Sequence, residues 1–177
     1  MGFLDRLGKS LGLGKESAEP PAAAPPQAAP AAEPAPVSEP PAAVTLRLRQ
    51  PLAGRVIPIE EVPDPTFAQG IMGPGIAIEP TGDLVSAPAD GTVAMVFKTG
   101  HAVALTLDDG TELLIHIGLD TVAMDGDGFE VLVSQGDKVT AGTPLVRFDP
   151  AKIAAAGHPA VTPIVVLNNK QARIEFS

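Results

Sequence analysis

From residue 44 onward, apolar positions come in short runs, broken by Gly, Pro or Asp every 8–12 residues. Gly54–Ile59, Gly75–Ile78, Gly91–Phe97 and Thr143–Phe148 each read as a strand of four to seven residues. His101 to His116 reads as a hairpin. Val103, Leu105 and Leu107 alternate with smaller residues, Leu113 to Ile117 is an apolar run, and Asp108-Asp-Gly110 between them is a turn signal. Only residues 150–156 carry a helical signal, one or two turns before Gly157. The expected fold is all-β, an antiparallel sandwich or barrel of short strands with minimal helix.

Two echoes suggest that a small-barrel motif is duplicated. Pro51-Leu-Ala-Gly-Arg-Val56 matches Pro88-Ala-Asp-Gly-Thr-Val93, and Gly82-Asp-Leu-Val-Ser-Ala87 matches Gly136-Asp-Lys-Val-Thr-Ala141. Motifs this short and rich in glycine also recur by chance.

Upstream the pattern changes twice. In residues 1–15, Phe3, Leu4, Leu7 and Leu11 share one helical stripe, with Asp5, Arg6, Lys9 and Lys15 off it. So short a helix is mostly unfolded in water but gains a partner at an anionic lipid surface. A frayed terminus is the plain alternative. Residues 16–43 are dominated by Pro, Ala and Glu, from which no core can be built. They are expected to be an extended spacer at about 3.1 Å per residue. The expected organisation is an amphipathic leader (1–15), a disordered linker (16–43) and a β domain (44–177).

Composition narrows the chemistry. The 177 residues contain no Cys, Trp or Tyr, and the net charge is −9. Disulfides, thiol nucleophiles and cysteine-type zinc sites are excluded. Net negative charge and scarce aromatics count against nucleic-acid binding. No apolar run is long enough to span a bilayer, and charges break Phe3–Leu13 too often for it to be expected as a secretory h-region. The expected location is the cytoplasm, with peripheral contact at the inner membrane face through residues 1–15.

The hairpin register decides what His101 and His116 can do. A two-residue turn at Asp109-Gly110 makes them diagonal neighbours, and one at Asp108-Asp109 sets them opposite. Either way the rings share a face, roughly 5–8 Å apart. A three-residue loop places them on opposite faces. A lone histidine at a strand end is usually structural or simply exposed, whereas two on one face form a candidate site. His158, in Ala-Gly-His-Pro, reads as an exposed loop residue without a role.

Several stretches carry a family resemblance. They are Glu61-Val-Pro-Asp-Pro-Thr-Phe-Ala68, Gly73-Pro-Gly-Ile-Ala-Ile-Glu-Pro-Thr-Gly82, Ala87-Pro-Ala-Asp-Gly-Thr92, Thr99-Gly-His101 and Leu114-Ile-His-Ile-Gly-Leu-Asp-Thr-Val122. In order and in context, the domain resembles the glucose-type enzyme IIA of the bacterial phosphoenolpyruvate:sugar phosphotransferase system, and the opening Met-Gly-Phe-Leu-Asp-Arg-Leu resembles the leader of its stand-alone members. The resemblance implies a cytoplasmic phosphocarrier that takes a phosphoryl group from phospho-HPr and passes it to a IIB domain of a glucose- or N-acetylglucosamine-type permease, with additional regulatory targets. By resemblance, His116 is the phosphorylated residue, His101 its supporter and Thr99 the brace of His101. Asp64 and Asp120 are acids near the site, and Phe67 belongs to an apolar docking patch. A carbonyl just past His116, that of Gly118, would hold its tautomer. No cofactor is implied.

Two rivals remain. A lysostaphin-type zinc peptidase shares the duplicated motif, but its ligands are missing: residue 105, four after His101, is leucine, and residue 118 is glycine. His101 and His116 could at most hold a regulatory zinc with a partner's carboxylate. The other rival is a purely regulatory module that reports its histidine phosphorylation.

Overall fold

The structure, a computed structural model, describes residues 44–177. The leader and linker expected at 1–15 and 16–43 lie outside the described residues. The strands are β1 (Thr45–Leu48), β2 (Gly54–Pro58), β3 (Gly75–Pro80), β4 (Leu84–Ser86), β5 (Gly91–Val96), β6 (Ala102–Leu107), β7 (Glu112–His116), β8 (Phe129–Val131), β9 (Lys138–Val139), β10 (Pro144–Phe148), β11 (Thr162–Val166) and β12 (Arg173–Phe176). Two helices are short, α1 (Pro65–Ala68) and α2 (Pro150–Ala155). The four strand runs read from the sequence and the helix at 150–156 are all present.

Seven strands form an antiparallel sheet in the order β2-β3-β11-β7-β6-β5-β9, and three form a second in the order β4-β10-β8. Val93, Val103, Leu105, Leu113 and Ile115 of the large sheet share one core with Val85, Leu145 and Phe148 of the small one. The fold is therefore the expected all-β packing of antiparallel sheets. The single departure is the pairing of β1 with β12, which is parallel.

The first echo occupies equivalent places. Gly54 opens β2 opposite Pro80, and Gly91 opens β5 opposite Leu107. A Cβ at Gly54 would fall 2.1 Å from the Glu79 carbonyl oxygen, and one at Gly91 2.4 Å from that of Thr106. Glycine recurs because the neighbouring strand passes too close for any side chain. The second echo diverges, since β4 pairs with β10 whereas β9 pairs with β5.

The large sheet also buries part of its other face. Ile59, Val62 and Phe67, from the segment around α1, cover Ala77, Ala102, Leu114 and Val165. Strands covered on both sides carry continuous apolar runs, which explains Leu113–Ile115 and the fully buried β11. α1 starts where it does because Asp64 accepts the Thr66 N–H at 2.7 Å and Pro65 presets the first helical φ.

The hairpin register differs from both pairings that favoured a shared face. Ala102 lies opposite His116 and Leu105 opposite Leu113, which leaves Asp108–Gly110 as a three-residue loop with Gly110 at φ 85°. Strict alternation would then send His101 to the face of Val103 and away from His116. The rings meet nonetheless, because β6 begins only at Ala102. Gly100 has φ 69° and its N–H closes a turn onto the Phe97 carbonyl. His101 sits in that bend, and its carbonyl takes the Ile117 N–H at 2.7 Å as the last link of the ladder. Alternation stops where the extended backbone stops.

Candidate functional site

His116 ends β7 on the face covered by α1. Its ring lies 5.3 Å, centroid to centroid, from that of Phe67, and 5.0 Å from that of His101 at an interplanar angle of 66°. The His101 ring in turn lies 5.3 Å from Phe97. Four rings thus run in a row, with two imidazoles between two phenylalanines.

Each imidazole is held at one nitrogen. His116 Nδ1 is 2.7 Å from the Gly118 carbonyl oxygen. A carbonyl only accepts, so Nδ1 carries the hydrogen, and the neutral ring keeps its lone pair on Nε2. Gly118 can turn its carbonyl back two residues because it adopts φ 72°. His101 Nδ1 is hydrogen-bonded to the Thr99 hydroxyl. Among the described residues, no buried side-chain nitrogen or oxygen lacks a partner.

Burial pushes the pKa of His116 below its ordinary 6.5, partly opposed by the Gly118 carbonyl and the charges of Asp64 and Asp120. His101 is lowered as well, first by burial and then by the neighbouring His116. Both rings are therefore neutral at pH 7, the state in which an imidazole nitrogen is a nucleophile.

The structure brings Thr99, His101, His116 and Gly118 together, and the charges of Asp64 and Asp120 reach His116. Asp64 also caps α1, whereas Asp120 is exposed and holds the left-handed φ of 55°. Phe67, read from the resemblance as part of a docking patch, is only 6% exposed and packs its ring against that of His116. Gly118, grouped with the docking residues, is buried and acts through its carbonyl. His158 is half-buried rather than exposed.

Other residues escaped the sequence reading. Phe97 was legible only as the end of a strand. Ile71 is 65% exposed and Val122 57%, and Met72 is exposed too. Each lies within five residues of Phe67 or Asp120, and exposed apolar residues beside a site are the available signal. Among the described residues, no group of three or more His, Asp and Glu side chains is placed to hold a metal ion. The zinc-peptidase reading therefore has no ligand set here.

The family model described as "phosphoenolpyruvate-dependent sugar phosphotransferase system, EIIA 1" matches residues 46–172. The chain belongs to this family. The glucose-specific EIIA component of Staphylococcus aureus (strain COL) is 52% identical over 122 residues, covering 69% of this chain and 74% of that protein. The glucose-specific EIIBCA component of Corynebacterium glutamicum is 56% identical over 127 residues, which are 72% of this chain but 19% of that protein. The chain therefore spans about a fifth of the length of such multidomain EIIA relatives. The solved structure of the glucose permease IIA from Mycoplasma capricolum superposes with a TM-score of 0.68 at 39% identity, covering 70% of this chain and 80% of that one. For an EIIA domain, the site is thus two unequal imidazoles: one aimed by a backbone carbonyl, the other bonded to a hydroxyl.

Proposed function

We propose that this EIIA domain is a phosphohistidine carrier, with His116 taking a phosphoryl group from phospho-HPr and passing it to the IIB domain of a glucose- or N-acetylglucosamine-type permease. The observation that carries this reading is His116 with Nδ1 on the Gly118 carbonyl, Nε2 free, and a second imidazole alongside. Nε2 attacks in line. The new N–P bond forms as the donor's P–N bond breaks, and the electron pair returns to the donor nitrogen. No proton needs to be removed from the attacking nitrogen.

Phosphorylated His116 carries roughly −1.5 to −2 charges at neutral pH, by analogy with other phosphoryl groups. His101 offsets that charge by donating from Nε2, with Nδ1 accepting from the Thr99 hydroxyl. Asp64 and Asp120 steer a basic partner, while Ile71, Met72, Phe97 and Val122 supply apolar contact. So small a patch suits partners that must leave, regulatory targets included. Residues 1–15 serve as a peripheral membrane anchor on the spacer of residues 16–43, in keeping with a cytoplasmic domain.

The test is labelling with phosphoenolpyruvate, enzyme I and HPr. The wild-type protein should take up one acid-labile, base-stable phosphate, and His116→Gln should take up none. Labelling that persists in His116→Gln would place the acceptor elsewhere.

A further inference from the structure

Gly118 holds the acceptor histidine, so what holds Gly118 becomes the question. The Gly118 carbonyl and the Leu119 N–H belong to one rigid peptide plane. The carbonyl meets His116 Nδ1 at 2.7 Å, and the Leu119 N–H donates to the Pro159 carbonyl at 2.9 Å. Three polar groups thus stand in line: the Pro159 carbonyl, the Gly118–Leu119 peptide and the His116 ring. Linked hydrogen bonds of this kind polarise one another.

The preceding peptide is held as well. Thr121 is fully buried, and its hydroxyl donates to the Ile117 carbonyl at 2.7 Å. A Cβ at Gly118 would come 2.5 Å from the Thr121 methyl and 3.1 Å from the Pro159 oxygen. The Thr121 methyl therefore packs directly under the Gly118 backbone. The turn it supports carries a cost at Asp120, a non-glycine residue held at the left-handed φ of 55°.

We infer that Thr121 is a positioning residue for the His116 imidazole: with the Pro159 carbonyl it orients the Gly118–Leu119 peptide, and that peptide selects the tautomer leaving Nε2 free. Its hydroxyl fixes the 117–118 peptide and its methyl sets the height of Gly118. The hydroxyl is hydrogen-bonded to the Ile117 carbonyl, whereas the imidazole is bonded to that of Gly118. The importance of this for phosphoryl transfer rests on His116 being the acceptor, but the tautomer itself does not.

The experiment compares wild type, Thr121→Val and Thr121→Ser by imidazole nitrogen NMR of His116 and by phosphate labelling from phospho-HPr. Valine keeps the shape and loses the hydroxyl; serine keeps the hydroxyl. The wild type should show Nδ1–H alone. Thr121→Val should show a mixture of tautomers and label about tenfold more slowly, the scale of one hydrogen bond. Thr121→Ser should restore the single tautomer. A folded Thr121→Val with the wild-type tautomer would overturn the inference, whatever its stability. Should the valine variant not fold, the wild-type protein still decides: the Thr121 hydroxyl proton must be held on the Ile117 carbonyl and exchange slowly with solvent, and fast exchange would overturn the inference. If His116→Gln is still labelled while Thr121→Val shifts the tautomer, the carrier reading fails and the positioning role stands.

Discussion

The two histidines of the site are chemically the same residue in different surroundings, and the surroundings divide the work. His116 has a backbone acceptor on Nδ1, and His101 has a hydroxyl there. A backbone carbonyl forces one tautomer, whereas a hydroxyl adapts by donating or accepting. In the proposed mechanism the fixed ring is the carrier and the adaptable ring follows the changing charge. His101→Gln is therefore expected to accept phosphate from phospho-HPr but to hand it to the IIB domain at least tenfold more slowly. Single-turnover transfer measures this, and equal transfer would remove His101 from the mechanism. Phosphorylation should also raise the pKa of His101, because the cation-disfavouring neighbour becomes an anion; NMR titration of the two forms reads the shift.

The same lowered pKa values set a pH dependence. Between pH 6.5 and the lower folded-state values of His101 and His116, the unfolded chain binds more protons than the native one. Stability contributed by these rings is thus complete above pH 6.5 and is lost as the pH falls through that window. Denaturant melts at pH 7 and pH 5.5 should show the lower midpoint at pH 5.5, with the difference reduced in a His101→Gln, His116→Gln double variant. The acid limb of phosphate acceptance should likewise lie below 6.5.

Among the elements, the β6–β7 hairpin and the turn before it matter most. Asp108–Gly110 sets the register, but the encounter of the two rings is made at the opposite end, where Gly100 turns the chain into β6. A Cβ at Gly100 would lie 3.0 Å from the Val131 side chain and 3.1 Å from that of Phe129, on top of the unfavourable φ. Gly100→Ala is expected to cost about 1–2 kcal/mol and to impair transfer out of proportion to that loss. Gly110 meets nothing within 4 Å. Gly110→Ala should therefore cost only its φ penalty and leave transfer rates intact, as chemical denaturation and labelling together would show.

For the whole molecule, the large sheet does two jobs. One face closes the main core, and the other carries the site under the α1 segment. The histidine pair is therefore built onto well-packed strands, with Asp120 left exposed beside it. No helix among the described residues is long and apolar enough to cross a membrane. If residues 1–15 are an anchor, their deletion should weaken binding to anionic vesicles severalfold without changing labelling in solution. Unchanged vesicle binding would refute the anchor.

Much of this was legible along the chain. Strand runs, turn residues and the Leu114–Val122 stretch are local, and local patterns of burial and backbone freedom specify them. Gly54 and Gly91 recur at matching positions because a strand crosses at the same distance in both halves. What alternation along the strands could not determine was which rings would meet. It assigned His101 and His116 to opposite faces in the register the hairpin adopts, and only the bend at Gly100, packed against Phe129 and Val131, brings the rings together. The burial of Phe67 and the hold of Pro159 on Leu119 are likewise tertiary. Each depends on segments some 40 or more residues apart, and a period of two or 3.6 carries no information over that distance.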